Sequence, residues 1–126
     1  MNTQPRSVIP IFTSRGEAEA FLVYPYLYNR LGEWIGWVAT DRQVYSVLGM
    51  YVGELTLEPR IIRKKITASL HARKEPLPNP GRITIPAHVP LAPLMGDLRF
   101  GFEDVLLEQP ERLHTIDAGE FRADLD

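Results

Sequence analysis

Between residues 11 and 55 the apolar positions fall in short runs. Each run is broken at a regular interval by a polar residue and, three positions later, a glycine. Residues 27–38, Leu27-Tyr28-Asn29-Arg30-Leu31-Gly32-Glu33-Trp34-Ile35-Gly36-Trp37-Val38, align with residues 44–55, Val44-Tyr45-Ser46-Val47-Leu48-Gly49-Met50-Tyr51-Val52-Gly53-Glu54-Leu55. The Tyr, the Leu and both glycines coincide at an offset of 17 residues. An offset of 16 brings in residues 11–22, where Phe12 replaces Tyr, Gly16 matches the first glycine and Ala20 the second. Such self-similarity at a fixed period marks a repeated structural unit.

The spacing predicts a β-hairpin. Each unit opens with an apolar residue and an aromatic, which favour strand. Thr13, Asn29 or Ser46 follows, and its side chain can accept a hydrogen bond from the backbone two residues on. Glycine at the fourth position tolerates positive φ, so the four residues read as a type I turn leading into a bulge. An apolar and aromatic run then returns. The second small residue, Ala20, Gly36 or Gly53, falls mid-strand, where it implies a close backbone approach. A side chain larger than alanine is expected to clash there. The structural repeat therefore rests on Gly16, Gly32, Gly36, Gly49 and Gly53.

Three hairpins leave exposed sheet edges, which proteins close or cover. Glu58-Pro59-Arg60-Ile61-Ile62-Arg63-Lys64-Lys65 reads as a strand without the turn glycine. It is expected to be a degenerate fourth unit, with residues 66–70 extending it or pairing with it. Pro76, Pro78, Pro80, Pro86, Pro90 and Pro93 then exclude helix and interior strand, and predict an extended, partly polyproline II arm. Its apolar residues Ile83, Ile85, Val89, Leu91 and Leu94 suggest that it lies on a surface. Residues 100–107 read as a strand or a helical turn. Residues 108–126 are acidic and read as irregular or as a short docked helix. The organisation expected is a hairpin-repeat domain over 8–75, an arm over 76–94 and an acidic tail with a short ordered element over 95–126.

Composition fits a globular chain. Of 126 residues, 44% are hydrophobic, enough for a packed core. No apolar run approaches the ~20 residues of a membrane helix, and residues 1–7 do not read as a secretory signal. There is no cysteine, which excludes disulfides, thiolate nucleophiles and Cys-based metal sites and fits a cytoplasmic setting. The net charge of −2 hides an asymmetry. Up to Arg82 there are 11 Lys/Arg against 7 Asp/Glu; from Ile83 there are 3 against 9. A basic first part and an acidic tail can attract each other within one chain or between chains.

The sequence offers no catalytic constellation. His71, His88 and His114 stand apart, outside any metal-ligand spacing. Glu103-Asp104 are adjacent, so in a strand they face opposite ways. No serine sits in a nucleophile elbow and no glycine run resembles a phosphate loop. Neither a catalytic residue nor a cofactor or metal site is assigned. What remains is a candidate interaction surface of Trp34, Trp37, Tyr51, Arg60, Arg63, Lys64 and Lys65. Aromatics left exposed mark partner surfaces, and Trp37 is a candidate for exposure. The basic strand, with Arg73 and Lys74 nearby, would serve single-stranded nucleic acid if aromatics stood beside it. As a charged edge it would serve only to block strand pairing, and the acidic net charge favours that plainer reading.

The pattern Tyr28-Asn29-Arg30-Leu31-Gly32-Glu33-Trp34-Ile35-Gly36 and its copies resemble the small bacterial four-fold beta-flower proteins. The resemblance spans roughly residues 11–65 and extends in character to the proline segment. It implies an all-β, closed or nearly closed fold of four hairpin units around a pseudo-four-fold axis. It supplies no catalytic residue and no known function. The missing fourth-turn glycine and the acidic tail depart from the pattern. A PRC-barrel or SH3-like small barrel is the alternative fold. The function expected is non-enzymatic: a protein-interaction or assembly module, with a protein partner or self-association as a homo-oligomer. The alternatives are nucleic-acid binding through Arg60 to Lys65, and an enzyme whose site is shared between subunits.

Overall fold

Thr13, Asn29 and Ser46 each organise a turn in the same way. Thr13 Oγ1 accepts from the backbone N–H of Arg15 and Glu17, at 3.2 and 3.4 Å. Asn29 Oδ1 accepts from Leu31 and Glu33, at 2.9 and 3.0 Å. Ser46 Oγ accepts from Leu48 and Met50, at 3.3 and 3.2 Å. The backbone N–H of Gly16, Gly32 and Gly49 closes each turn onto the carbonyl of that residue. A register shift in the strand before each turn supplies the bulge. The hairpin reading of the repeat is therefore what the chain adopts.

The computed structural model describes residues 7–66 and 71–117. Three hairpins are formed by β1 (Ile9–Phe12) with β2 (Ala18–Val23), β3 (Tyr26–Tyr28) with β4 (Trp34–Val38), and β5 (Gln43–Ser46) with β6 (Tyr51–Leu55). Then come β7 (Ile61–Lys64), β8 (Phe102–Asp104) and a short helix α1 (Val105–Glu108). The eight strands follow one another in a single antiparallel sheet, in sequence order. The protein is all-β, as expected, with very little helix. No helix among the described residues is long and apolar enough to cross a membrane.

The fourth unit differs from the local one expected. β7 finds its partner in β8, with Ile62 opposite Asp104 and Lys64 opposite Phe102. The sequence after Lys65 lacks the polar-x-x-Gly turn motif of the other units, and the returning strand comes from beyond the proline-rich segment. Residues 67–70, expected to extend or pair with β7, lie outside the described residues, as do 1–6 and 118–126.

The sheet curls so that β1 returns to the turn before β7. Phe12 N–H donates to Pro59 O at 3.0 Å. β1 and β8 share no ladder; the gap between them is bridged by side chains. Ser14 gives both its backbone N–H and its hydroxyl to Asp104 Oδ2, and its oxygen accepts from Arg60 Nη1 at 2.9 Å. The other carboxylate oxygen, Oδ1, caps α1 through Leu107 N–H at 3.3 Å.

Two apolar layers hold the sheet. The inner layer joins Ile11, Leu27 and Val44, the first residues of the three repeated units, with Ile61 of β7, Val52 and Leu55. Val105, Leu106 and Leu113 belong to the same layer. Residues 105, 106 and 113 therefore contribute to the core. Burial of such side chains at roughly 25 cal/mol per Å² is the main stabilising term. The outer layer holds Tyr28, Trp34, Trp37 and Tyr45, with Leu77, Ile83 and Ile116 packed against it. Strand β4 is consequently buried on both faces.

Residues 71–99 contain neither helix nor strand. They pass the three turns in reverse order. Lys74 N–H donates to Gly49 O at 2.9 Å, and Ile83 N–H donates to Gly32 O at 3.0 Å. Ala92 lies over Gly16, and Gly101 O accepts from Lys65 N–H at 2.8 Å. The chain thus meets one unit every nine residues. At two stations an arginine adds an anchor: Arg73 Nε donates to Leu48 O and Arg82 Nη2 to Leu31 O. The turn glycines also make room for this passage. A Cβ on Gly32 would lie 1.9 Å from Ile83 O, and one on Gly49 1.8 Å from Lys74 O. Both glycines have φ near +80°, at +79° and +82°, so any side chain there is strained twice over.

Candidate functional site

At the fourth station no hairpin turn follows β7; a turn closed by Phe102 N–H on Arg99 O at 3.1 Å instead precedes β8 and leaves Phe100 in solvent. Ile61 and Ile62 of β7 are buried and fix the strand, so Lys64 at its end and Lys65 just beyond it stand in solvent. Arg63 leaves the strand in another direction. Its Nη1 donates to Val52 O at 3.0 Å and to Tyr51 O at 3.3 Å, both on β6. Burial lowers its pKa from the usual range, and the Arg112 charge lowers it further.

Tyr51 connects this corner to the aromatic layer. Its ring stacks on His71 at 3.6 Å with 14° between planes, and meets Tyr45 edge-on at 6.0 Å. The Arg63 guanidinium carbon lies 5.6 Å from the ring centroid. Burial raises the pKa of the Tyr51 hydroxyl, and Arg63 opposes that shift. Arg99 lies over the ring of Phe102, 4.8 Å from its centroid. Tyr51, Arg63, Lys64, His71 and Arg99 share a shallow pocket of about 340 Å³, with Glu54 as its acidic member.

An adjoining pocket of about 370 Å³ is lined by Lys64, Lys65, Ile66, Phe100, Gly101 and Phe102. Phe100 is fully exposed, at 105% of its reference area, and Ile66 is 87% exposed. Two large apolar side chains thus stand in water beside two ammonium groups.

Four of the seven side chains singled out in the sequence, Tyr51, Arg63, Lys64 and Lys65, meet at this station. The other three do not. Trp37 is only 6% exposed, against the expectation for it, because it stacks on Tyr45 at 4.8 Å within the layer that the connecting segment covers. Trp34 is equally buried; its Nε1 donates to Gly36 O at 2.7 Å. Arg60 is buried at the closure, held by Ser14 Oγ, Gly96 O and Glu58 Oε2. The basic concentration is therefore narrower than the sequence suggests. Phe100, Phe102, His71 and Arg99 were not singled out for the site. Phe102 opens a strand 38 positions after Lys64, so no local pattern links them.

The mid-strand glycines mark crowding more severe than expected. A Cβ on Gly36 would lie 2.4 Å from Tyr45 O, and one on Gly53 2.4 Å from Ile62 O. Even alanine has no room. Among the described residues no three His, Asp or Glu side chains gather as a metal site would require.

A family model described as 4-fold beta flower protein matches residues 9–94. Comparison with the curated proteins and with the solved structures gives no match.

Proposed function

The chain belongs to the 4-fold beta flower family, and from that footing we propose that it is a non-enzymatic protein-interaction module whose docking surface is the fourth station. One observation carries this reading. Phe100 and Ile66 are fully or almost fully exposed beside Lys64 and Lys65, around one apolar pocket. Soluble proteins that keep large apolar side chains contiguous in water use them for partners. The rim charge selects the partner class: an acidic segment that carries apolar side chains. Apolar anchors supply affinity, and the lysines steer association and suppress basic competitors. The lack of cysteine fits action in the cytoplasm of a bacterium.

The nucleic-acid reading has less to stand on. Arg60 is enclosed, and Arg63 is committed to two carbonyls. The stacking face of Tyr51 is taken by His71.

The test is fluorescence anisotropy with a labelled peptide of repeated Glu-Phe-Glu-Leu, titrated with the full chain. The peptide is expected to bind in the micromolar range, and Phe100→Ala with Ile66→Ser is expected to weaken binding at least tenfold. Both side chains are exposed, so the double variant keeps its fold. No binding, or binding unchanged by the double variant, overturns the reading. Single-stranded oligonucleotide binding that Lys64→Glu with Lys65→Glu abolishes would put the nucleic-acid reading in its place.

A further inference from the structure

We infer that the occupant of the fourth station is the acidic segment 117–126 of a second copy of this chain, so that the protein assembles head to tail. This rests on the docking surface just proposed and names its partner.

The segment has the required chemistry. It reads Asp117-Ala118-Gly119-Glu120-Phe121-Arg122-Ala123-Asp124-Leu125-Asp126, with four acids against one arginine. Phe121 follows Glu120, and Leu125 stands between Asp124 and Asp126. Leu125 is thus flanked by carboxylates on both sides, and Phe121 by Glu120 on one side and Arg122 on the other. The receiving surface is the converse, an apolar pocket of about 370 Å³ rimmed by Lys64 and Lys65. An apolar anchor in the pocket with carboxylates on the two lysines satisfies both sides at once.

Chain length decides between the same molecule and another. Ile116 and Asp117 line a pocket with Trp34, Gly81 and Arg82, at the second station. The fourth station lies two stations further round. The connecting segment, itself without helix or strand, uses 18 residues to cover that path, from Ile83 to Gly101. Phe121 is four residues beyond Asp117 and Leu125 eight, roughly 14 and 28 Å of fully extended chain. Both fall short of the 18 residues used along that path, so the segment serves a neighbour's fourth station rather than its own. Donor and acceptor surfaces differ, so the contact is heterologous. It propagates into chains or closes into a ring according to the rotation per step.

Two linked measurements test this. The first is mass by light scattering for the full chain and for a variant ending at Asp117. The full chain is expected to gain mass with concentration, whereas the shortened variant stays monomeric. The second is anisotropy of a labelled peptide of residues 116–126 titrated with the shortened variant. Binding is expected, Lys64→Glu with Lys65→Glu is expected to weaken it at least tenfold, and a peptide with Glu120 and Asp124 changed to Lys is expected to recover binding to that double variant. Equal mass for the two chains at all concentrations overturns the inference, as does peptide binding indifferent to Lys64 and Lys65. If the Glu-Phe-Glu-Leu peptide binds and the 116–126 peptide does not, self-recognition fails while the docking surface stands. If neither binds, both fail.

Discussion

Ser14 and Asp104, ninety positions apart, are joined twice: the Ser14 backbone N–H at 2.6 Å and its hydroxyl at 2.7 Å converge on the same carboxylate oxygen. Asp104 is 1% exposed. The pair ties the first hairpin turn to the last strand, across the gap that no ladder spans. Hydrogen bonds to a buried charge are stronger than neutral ones, and removing one partner leaves the others unpaired. Asp104→Ala is expected to cost about 2–3 kcal/mol in urea unfolding, and Ser14→Ala about 1 kcal/mol. An unchanged midpoint for Asp104→Ala would mean that the sheet holds its curl without this bridge.

The crowded glycines predict a sharp contrast. Gly53→Ala puts a methyl 2.4 Å from Ile62 O, a backbone atom that cannot yield without moving β7. Overpacking of this kind costs roughly 1–3 kcal/mol. Gly96→Ala meets nothing within 4 Å and is expected to stay within about 0.5 kcal/mol of the parent. Thermal melts of the two variants should separate clearly; coincident melts would argue against close strand approach at Gly53.

Arg73 and Arg82 hold the connecting segment at the third and second stations. Leu91 occupies the matching position over the first and is 96% exposed, with no anchor. Arg73→Ala and Arg82→Ala are each expected to cost about 0.5–1 kcal/mol locally and to hasten protease cleavage between residues 76 and 94. Leu91→Arg, aimed at the Arg15 carbonyl, is expected to slow that cleavage. Cleavage rates insensitive to all three changes would remove the anchoring role.

Tyr51 gives a pH dependence. Burial raises its pKa in the folded protein, whereas the unfolded chain ionises near pH 10. Above that pH the unfolded state has lost more protons than the folded one, so stability falls as pH rises. The contribution is complete below about pH 10 and is lost as pH climbs through the raised folded value. Denaturation midpoints measured from pH 9 upward should decline in the parent and decline less in Tyr51→Phe. Parallel curves would place the loss elsewhere.

The turns were legible because their determinants are local: one polar side chain, two backbone N–H groups and a glycine within five residues. The small mid-strand residues were legible for the same reason. The fourth unit was only half legible, since β7 has the composition of a strand while its partner lies beyond the proline-rich segment. Trp37 was misplaced because alternation along a strand says which face a side chain takes, not what covers that face. The cover is made at Lys74 and Ile83 by backbone hydrogen bonds, which leave almost no trace in residue type. At the site, the basic residues were visible as a cluster in the sequence. Phe100 and Phe102 gained meaning only when β8 paired with β7.

The proposed docking surface depends on the connecting segment lying along the three hairpin turns and leaving Phe100 and Ile66 exposed at the fourth unit. Amide hydrogen exchange followed by NMR tests that arrangement directly. Lys74 and Ile83, whose N–H groups donate to Gly49 and Gly32, should exchange slowly, as two protected positions nine apart within a fast-exchanging segment. Leu77, Val89 and Leu91 should exchange quickly. Exchange at Lys74 and Ile83 as fast as at Val89 would contradict the account, because the segment would then not be held against the turns.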